Sequence, residues 1–168
     1  MSQVSSPQLS GVAIVELRRQ FPYQQDERWV VEEARGAGGW VDANRSFLAW
    51  HRGRGASEMK ALMEAAGIQA VTSSEAAADL VALAYEVFMP VDEYRGTIVR
   101  VDDTHLRIVT GVCPMFGKIE RTEWHGVTAC GSWHHRRGWY DAMGVDPEDG
   151  VLAEQKWGDA ACIAEVEF

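Results

Sequence analysis

The apolar pattern of this chain changes period at Gly96, and that change constrains the fold more than any other feature. Before Gly96, alanine and leucine recur at helical spacing, most clearly in EAAADLVALAYEVF. After it, β-branched residues alternate with polar ones in TIVRV and THLRIVTGV. Helices first and strands afterwards indicate an α+β fold, because a parallel α/β sheet would alternate the two. The expectation is one domain over residues 1–168. Residues 1–90 form a mainly helical part, and residues 96–168 form a mostly antiparallel sheet with one or two helices packed on it.

Local signals place the elements. Between Ser10 and Arg35 two helical segments are broken at Pro22, and Gly36, Gly38 and Gly39 end that region. Ala43 to His51 forms a further helix, and the glycines of HRGRG mark a loop after it. Ser57 is the expected N-cap of a helix carrying Met59, Leu62 and Met63, with Gly67 at its stop. Ser73 or Ser74 caps the next helix, which Pro90 terminates. Asp102-Asp103 joins two strands as a hairpin, and Pro114 opens a helix. Thr128 to Met143 reads as a helix ending at Gly144, and VLAEQKW and ACIAEVEF form a last hairpin turning at Gly158-Asp159.

Charge and composition remove several function classes. The formal charge of -9 argues against nucleic acid and anionic membrane surfaces, since phosphate recognition needs a clustered cationic face and the only one, His134 to Arg137, is short. No apolar run approaches the roughly 20 residues needed to span a bilayer, and MSQVSSPQLS lacks the cationic and apolar regions of a signal peptide. A cytoplasmic location follows as the expectation. RGAGGW and HRGRGAS lack the setting of a phosphate loop, so nucleotide binding is discounted. The partner expected is a small molecule, with a homodimer compatible with everything above.

Three widely spaced cysteines, Cys113, Cys130 and Cys162, fit reduced thiols better than a disulfide framework. Cys113 ends a strand and precedes Pro114 at a helix start, where the helix dipole favours a thiolate. Cys130 and His134 are four apart on one helical face, with Arg137 and Asp141 continuing the stripe and His125 shortly before it. Such a face suits a nucleophile with its base, or two metal ligands. The bland alternative is a helix whose Trp133, Trp139 and Tyr140 pack inward while His135, Arg136 and Arg137 are solvated. Cys162 lies on the last strand with Glu154 on its hairpin partner, and thiolate, carboxylate and imidazole together would suit zinc. The spacing matches no compact zinc motif, so no cofactor is expected, with zinc as the alternative.

Residues 96–168 resemble the L-2-amino-thiazoline-4-carboxylic acid hydrolase-like family and, more distantly, the vinyl-reductase-type small-molecule-binding domains. The resemblance rests on Cys113-Pro114 after a strand, Ala129-Cys130 opening a helix, and Gly158-Asp159-Ala160-Ala161-Cys162 leading into IAEVEF. It implies a pocket between helices and sheet and a hydrolase acting on small sulfur- or nitrogen-containing rings. The distant sensor group would place zinc on Cys130 and Cys162, and Glu154 stands where that group has another cysteine.

The expected function is a small-molecule hydrolase working through a cysteine/histidine site. Cys113 is the nucleophile or first ligand, Cys130 the second thiol, His125 or His134 the base, and Asp141 the group that orients a histidine. Arg137 would pair with a substrate carboxylate, and Trp133 would supply an aromatic wall. The rival is a non-catalytic domain that holds an aromatic or lipophilic ligand in a pocket walled by tryptophan and methionine. A third reading makes the cysteines a structural metal staple.

Overall fold

A computed structural model describes residues 7–22, 40–89, 96–112 and 130–168 of the chain. The order is α1 (Gly11–Gln20), α2 (Trp40–Ala65), α3 (Ser74–Phe88), β1 (Gly96–Arg100), β2 (His105–Thr110), α4 (Gly131–Met143), β3 (Glu148–Ala153), a 3-10 turn (Gln155–Trp157) and β4 (Cys162–Glu167). The four strands form one antiparallel sheet in the order β1-β2-β4-β3. This is the α+β arrangement that the change of pattern at Gly96 predicts: three helices, then the sheet, with α4 packed against α2.

Caps and stops fall where the local chemistry puts them. Ser73 caps α3 by accepting the Ala76 N–H at 3.1 Å. Gly67 and Gly144 both take the left-handed conformation past a helix end, at φ 70 and 73. The wrap-around bonds Ile68 N–H to Met63 O and Val145 N–H to Tyr140 O complete the same motif at each. Strands β1 and β2 turn at Asp102-Asp103, where the Asp102 carboxylate accepts the Thr104 N–H at 2.9 Å. The terminal hairpin is present, but β3 starts at Glu148 and stops at Ala153, and Gln155–Trp157 form the 3-10 turn before the left-handed Gly158. The second of the two segments expected before Arg35 and the helix expected at Pro114 lie outside the described residues.

The sequence errs most at HRGRG. These residues are helical, and α2 runs unbroken from Trp40 through them to Ala65. Ser57 is therefore no cap. It sits inside the helix with its hydroxyl donating to the Gly53 carbonyl at 3.0 Å. The reason is tertiary: a side chain on Gly55 would place its Cβ 2.1 Å from the His135 carbonyl oxygen of α4, and one on Gly138 would lie 2.0 Å from the Arg52 carbonyl oxygen of α2. Both glycines allow two helix backbones to touch. The pairs His51–Gly131, Gly55–His135 and Glu58–Trp139 lie along the seam between α2 and α4. The helix propensity that glycine lacks, about 1 kcal/mol each, is outweighed by that contact.

The core lies between the helices and one face of the sheet. Met59, Leu62 and Met63 of α2 join Ala77, Leu80, Val81, Ala84 and Phe88 of α3 and Trp139, Tyr140 and Met143 of α4. From the sheet come Leu106, Ile108, Ala164 and Val166, with Leu106 opposite Val166 and Ile108 opposite Ala164. On the other sheet face Arg107 pairs with Glu165, beside Val99, Val109 and Ile163. Alternation on β2 and β4 thus follows the period-two rule. Arg18 of α1 donates to the carbonyl oxygens of Val87 and Glu86 at the end of α3, both at 2.9 Å.

Two glycine substitutions separate propensity from contact. Gly138→Ala should destabilise the fold by about 2 kcal/mol or more, because backbone rather than a movable side chain meets the new carbon. Gly53→Ala, where nothing lies within 4 Å of the added Cβ, should stabilise by up to about 1 kcal/mol. Urea denaturation of both variants reads the difference. Equal effects would show that the two helices do not meet through Gly138.

Candidate functional site

Helix α4 carries polar groups into the interior on two faces. On the face toward α2, His135 is 2% exposed and its Nε2 lies 2.5 Å from Oε2 of Glu58, a carboxylate with no exposure at all. Glu58 also accepts from Nε of Arg54 at 2.8 Å and from the Trp139 indole N–H at 3.2 Å. Burial works to raise the Glu58 carboxyl, but His135 and Arg54 outweigh it and hold the group below its ordinary range. On the far side of His135, its Nδ1 stands 3.4 Å from Nδ1 of His51.

These contacts form a chain from Glu58 through His135 to His51. His135 Nε2 faces the Glu58 carboxylate as donor, and the two Nδ1 atoms of His135 and His51 face each other across one shared proton. Among the described residues Nε2 of His51 has no hydrogen-bond partner, although His51 is only 6% exposed. The ring edge carrying Nε2 faces Gly131, the first residue of α4, where an added Cβ would lie 2.6 Å from Nε2. Phe47 and Trp50 hold the imidazole edge-on, at centroid distances of 4.4 and 5.0 Å. Burial, then the nearby His135, Arg54 and His134, push His51 down to about 3.

The face toward the sheet is tied by Arg136, whose Nε and Nη2 donate to the two oxygens of Asp149 at 2.8 and 2.7 Å. The Tyr140 hydroxyl donates to the same carboxylate at 2.9 Å. Beside this pair a cavity of about 40 Å³ lies between α4 and the strands, with Cys130, Trp133 and Arg136 on one side and Thr110, Glu154 and Cys162 on the other. At roughly 10–15 Å³ for each water position, it admits a group of a few heavy atoms. Cys130 is the N-cap of α4, exposed, and makes no side-chain capping bond. Cys162, at the start of β4 opposite Thr110, accepts the Gln155 N–H at 3.3 Å. Burial first, and then Cys130, Glu154 and Asp159, push its thiol up.

Of the residues expected to act, Cys113 and His125 lie outside the described residues. Cys130 and Trp133 are brought to one cavity with Cys162 and Glu154. Trp133 also donates its indole N–H to the Asp149 carbonyl oxygen at 3.2 Å. His134, Arg137 and Asp141 are not among the residues lining that cavity. His134 is half-buried, and burial and then Arg52 lower it. Asp141 pairs with Arg52 at 2.6 Å rather than orienting a histidine, and Arg137 pairs with Asp146 at 2.7 Å while its guanidinium lies over Trp133. The expectation that His135 and Arg136 are solvated is corrected: both are buried, because α4 is covered on two sides. Trp139, Met59, Met63 and Met143 are core side chains rather than walls of a ligand pocket. Among the described residues no three His, Cys, Asp or Glu side chains stand together so as to hold a metal. No helix there is long and apolar enough to cross a membrane.

His51, Glu58 and Asp149 were not singled out in the sequence. A signal existed for the first two. His51, Gly55 and Glu58 repeat at i, i+4, i+7, and Gly131, His135 and Gly138 repeat at the same spacing on α4.

The burial of a neutral His51 sets a pH dependence. Between about 6.5 and about 3 the unfolded chain binds a proton at His51 that the native state does not, so stability falls as the pH is lowered through this window and is fully present above it. The slope contributed is up to about 1.4 kcal/mol per pH unit. Denaturant titrations of His51→Gln should show a flatter pH dependence than wild type between about pH 6.5 and pH 5, a range above most carboxylate titration. Superimposable slopes would place His51 in water.

No protein-family model matches this chain, and no curated protein compared with it matches either.

Proposed function

We propose that the protein is a small-molecule hydrolase whose site is the cavity at the amino end of α4, with Cys130 as the nucleophile. The substrate class is a small, cyclic, sulfur- or nitrogen-containing metabolite, as the resemblance to the thiazoline hydrolases implies. The observation carrying this reading is that Cys130, free and exposed at the first turn of a 13-residue helix, shares one small cavity with Cys162, Glu154 and Trp133. A thiol at that end of a helix adds to an electrophilic ring carbon, where the helix dipole favours the negative charge that develops. The ring C–N or C–S bond then breaks, the leaving heteroatom takes a proton, and water releases the product from sulfur. Trp133 and the apolar Ile108, Ile163 and Ala164 shape a space for one edge of the ring. Arg136 lines the same space but is held by Asp149, so it fixes the wall of the cavity while the dipole of α4 supplies its polarity.

The test is turnover of thiazoline, thiazolidine and cyclic amide compounds, scored by release of free thiol or amine. Cys130→Ser should lower the rate by about 10³-fold or more. Because Cys130 is exposed, the thermal transition should stay within about 2 °C of wild type. Limiting iodoacetamide, mapped by mass spectrometry, should label Cys130 before the half-buried Cys162. The same digest ranks Cys113, the nucleophile expected from the sequence. Normal turnover in Cys130→Ser would move the chemistry away from this cavity. Stoichiometric binding of these compounds without turnover would favour the non-catalytic reading.

A further inference from the structure

The proposed reaction moves a proton twice. One leaves the Cys130 thiol and ends on the departing ring atom, and one leaves the water that frees the product from sulfur. Both transfers take place in the cavity, so the group that carries them must face it. Among the described residues lining it, the ionisable side chains are Cys130, Cys162, Arg136 and Glu154. Arg136 does not give up its proton and is held by both oxygens of Asp149. Cys162 is half-buried, its sulfur already accepts the Gln155 N–H at 3.3 Å, and burial pushes its thiol up. Glu154 remains.

The fold places this carboxylate in the cavity and gives it no structural task. Glu154 stands between β3 and the 3-10 turn, with its backbone fixed on both sides: its N–H donates to Asp159 Oδ2 at 2.9 Å, and its carbonyl oxygen accepts the Trp157 N–H at 2.9 Å. It is the N-cap residue of that turn, yet its side chain makes no capping bond. Among the described residues the carboxylate takes no hydrogen bond and no ion pair. The bond from Gln155 to the Cys162 sulfur draws this corner of the hairpin to the cavity, and Cys130, the N-cap of α4, lies on the opposite wall. In a space of about 40 Å³ a reacting bond meets both walls, with the thiol on the helix side and the carboxylate on the hairpin side.

We propose that Glu154 is the general acid and base of the site. This deepens the function proposed above and rests on it. In the first step the Cys130 sulfur bonds to the electrophilic ring carbon while its proton passes to the Glu154 carboxylate. The ring C–N or C–S bond breaks, the departing atom keeps the electron pair, and Glu154 hands it the proton. In the second step a water oxygen bonds to the same carbon and its proton passes to Glu154. The bond from Cys130 to carbon then breaks, and sulfur recovers its electron pair and takes the proton from Glu154. One water is consumed, thiol and carboxylate are regenerated, and no oxidant or further reactant enters.

The experiment follows the second step with an activated ester, 4-nitrophenyl acetate, which acetylates a nucleophilic thiol and reports it by release of 4-nitrophenolate. In wild type the acetyl group should map to Cys130 by mass spectrometry and be lost by hydrolysis. In Glu154→Gln that hydrolysis should slow by about 10²-fold or more, so a burst of nitrophenolate is followed by acetyl-Cys130 that persists. Formate should speed the hydrolysis in Glu154→Ala, where it fits the space left, and not in Glu154→Gln. Acetyl-Cys130 that is hydrolysed at the wild-type rate in Glu154→Gln would overturn the assignment. Failure of both variants to fold would make the carboxylate structural and overturn it too. A wild-type protein that is acetylated elsewhere and never on Cys130 would instead overturn the nucleophile proposed above, and this inference with it.

Discussion

The contact between the backbones of α2 and α4 is the constraint from which the rest follows. Helix axes usually stand 8–10 Å apart because side chains separate them. Gly55 and Gly138 remove that separation at two points, and Gly131 removes it at a third, where it makes room for His51 rather than for backbone. Close approach has a polar consequence. Side chains that would otherwise reach past one another into solvent are confined between the helices, so His51, Glu58 and His135 end up buried with each other, Arg54 and Trp139 as partners. A buried carboxylate without such partners would cost several kcal/mol and protonate. The glycines and the imidazole–carboxylate chain are thus one structural unit along the seam of α2 and α4.

With one face of α4 committed to α2, its opposite face must meet the sheet. Arg136 and Tyr140 anchor it there through Asp149 of β3, a buried and fully hydrogen-bonded carboxylate. Helix α4 is held from both sides. Its amino end, by contrast, stands over the start of β4, and the small cavity holding Cys130 and Cys162 lies at that place. Rigidity on two faces with an open end is the arrangement that a reacting group requires, since catalytic geometry tolerates little displacement.

Where a segment's neighbours in sequence decide its structure, the sequence was legible. Helix α3 followed from an alanine- and leucine-rich run with Ser73 before it, and the left-handed glycines at 67 and 144 marked two helix ends. Both hairpins followed from alternation and turn residues, and the nearness of Cys162 and Glu154 followed from the second. What failed was decided by partners distant in the chain. HRGRG reads as a loop because glycine disfavours helix locally, and only the surface of α4, some eighty residues later, explains why it is helical. That error concealed His51 and Glu58, whose common face exists only if α2 is continuous. Likewise His135 and Arg136, in a run of four basic or imidazole side chains, look solvated until both faces of α4 are covered. Of the stripe read through Cys130, His134, Arg137 and Asp141, Cys130 is the extended N-cap before the helix, and Arg52 and Asp146 claim the charged members.

The claim on which this account turns is that Glu58, with no exposure to solvent, is ionised in the native protein because His135 and Arg54 hold it so. Infrared difference spectra of wild type against Glu58→Gln, recorded as the pH is lowered from neutrality, measure this directly. The account predicts the carboxylate bands of Glu58 at neutral pH, persisting to a lower pH than those of an ordinary glutamate. A protonated carboxyl band assigned to Glu58 at neutral pH would contradict it, because the chain through His135 to His51 would then lack the charge that organises it.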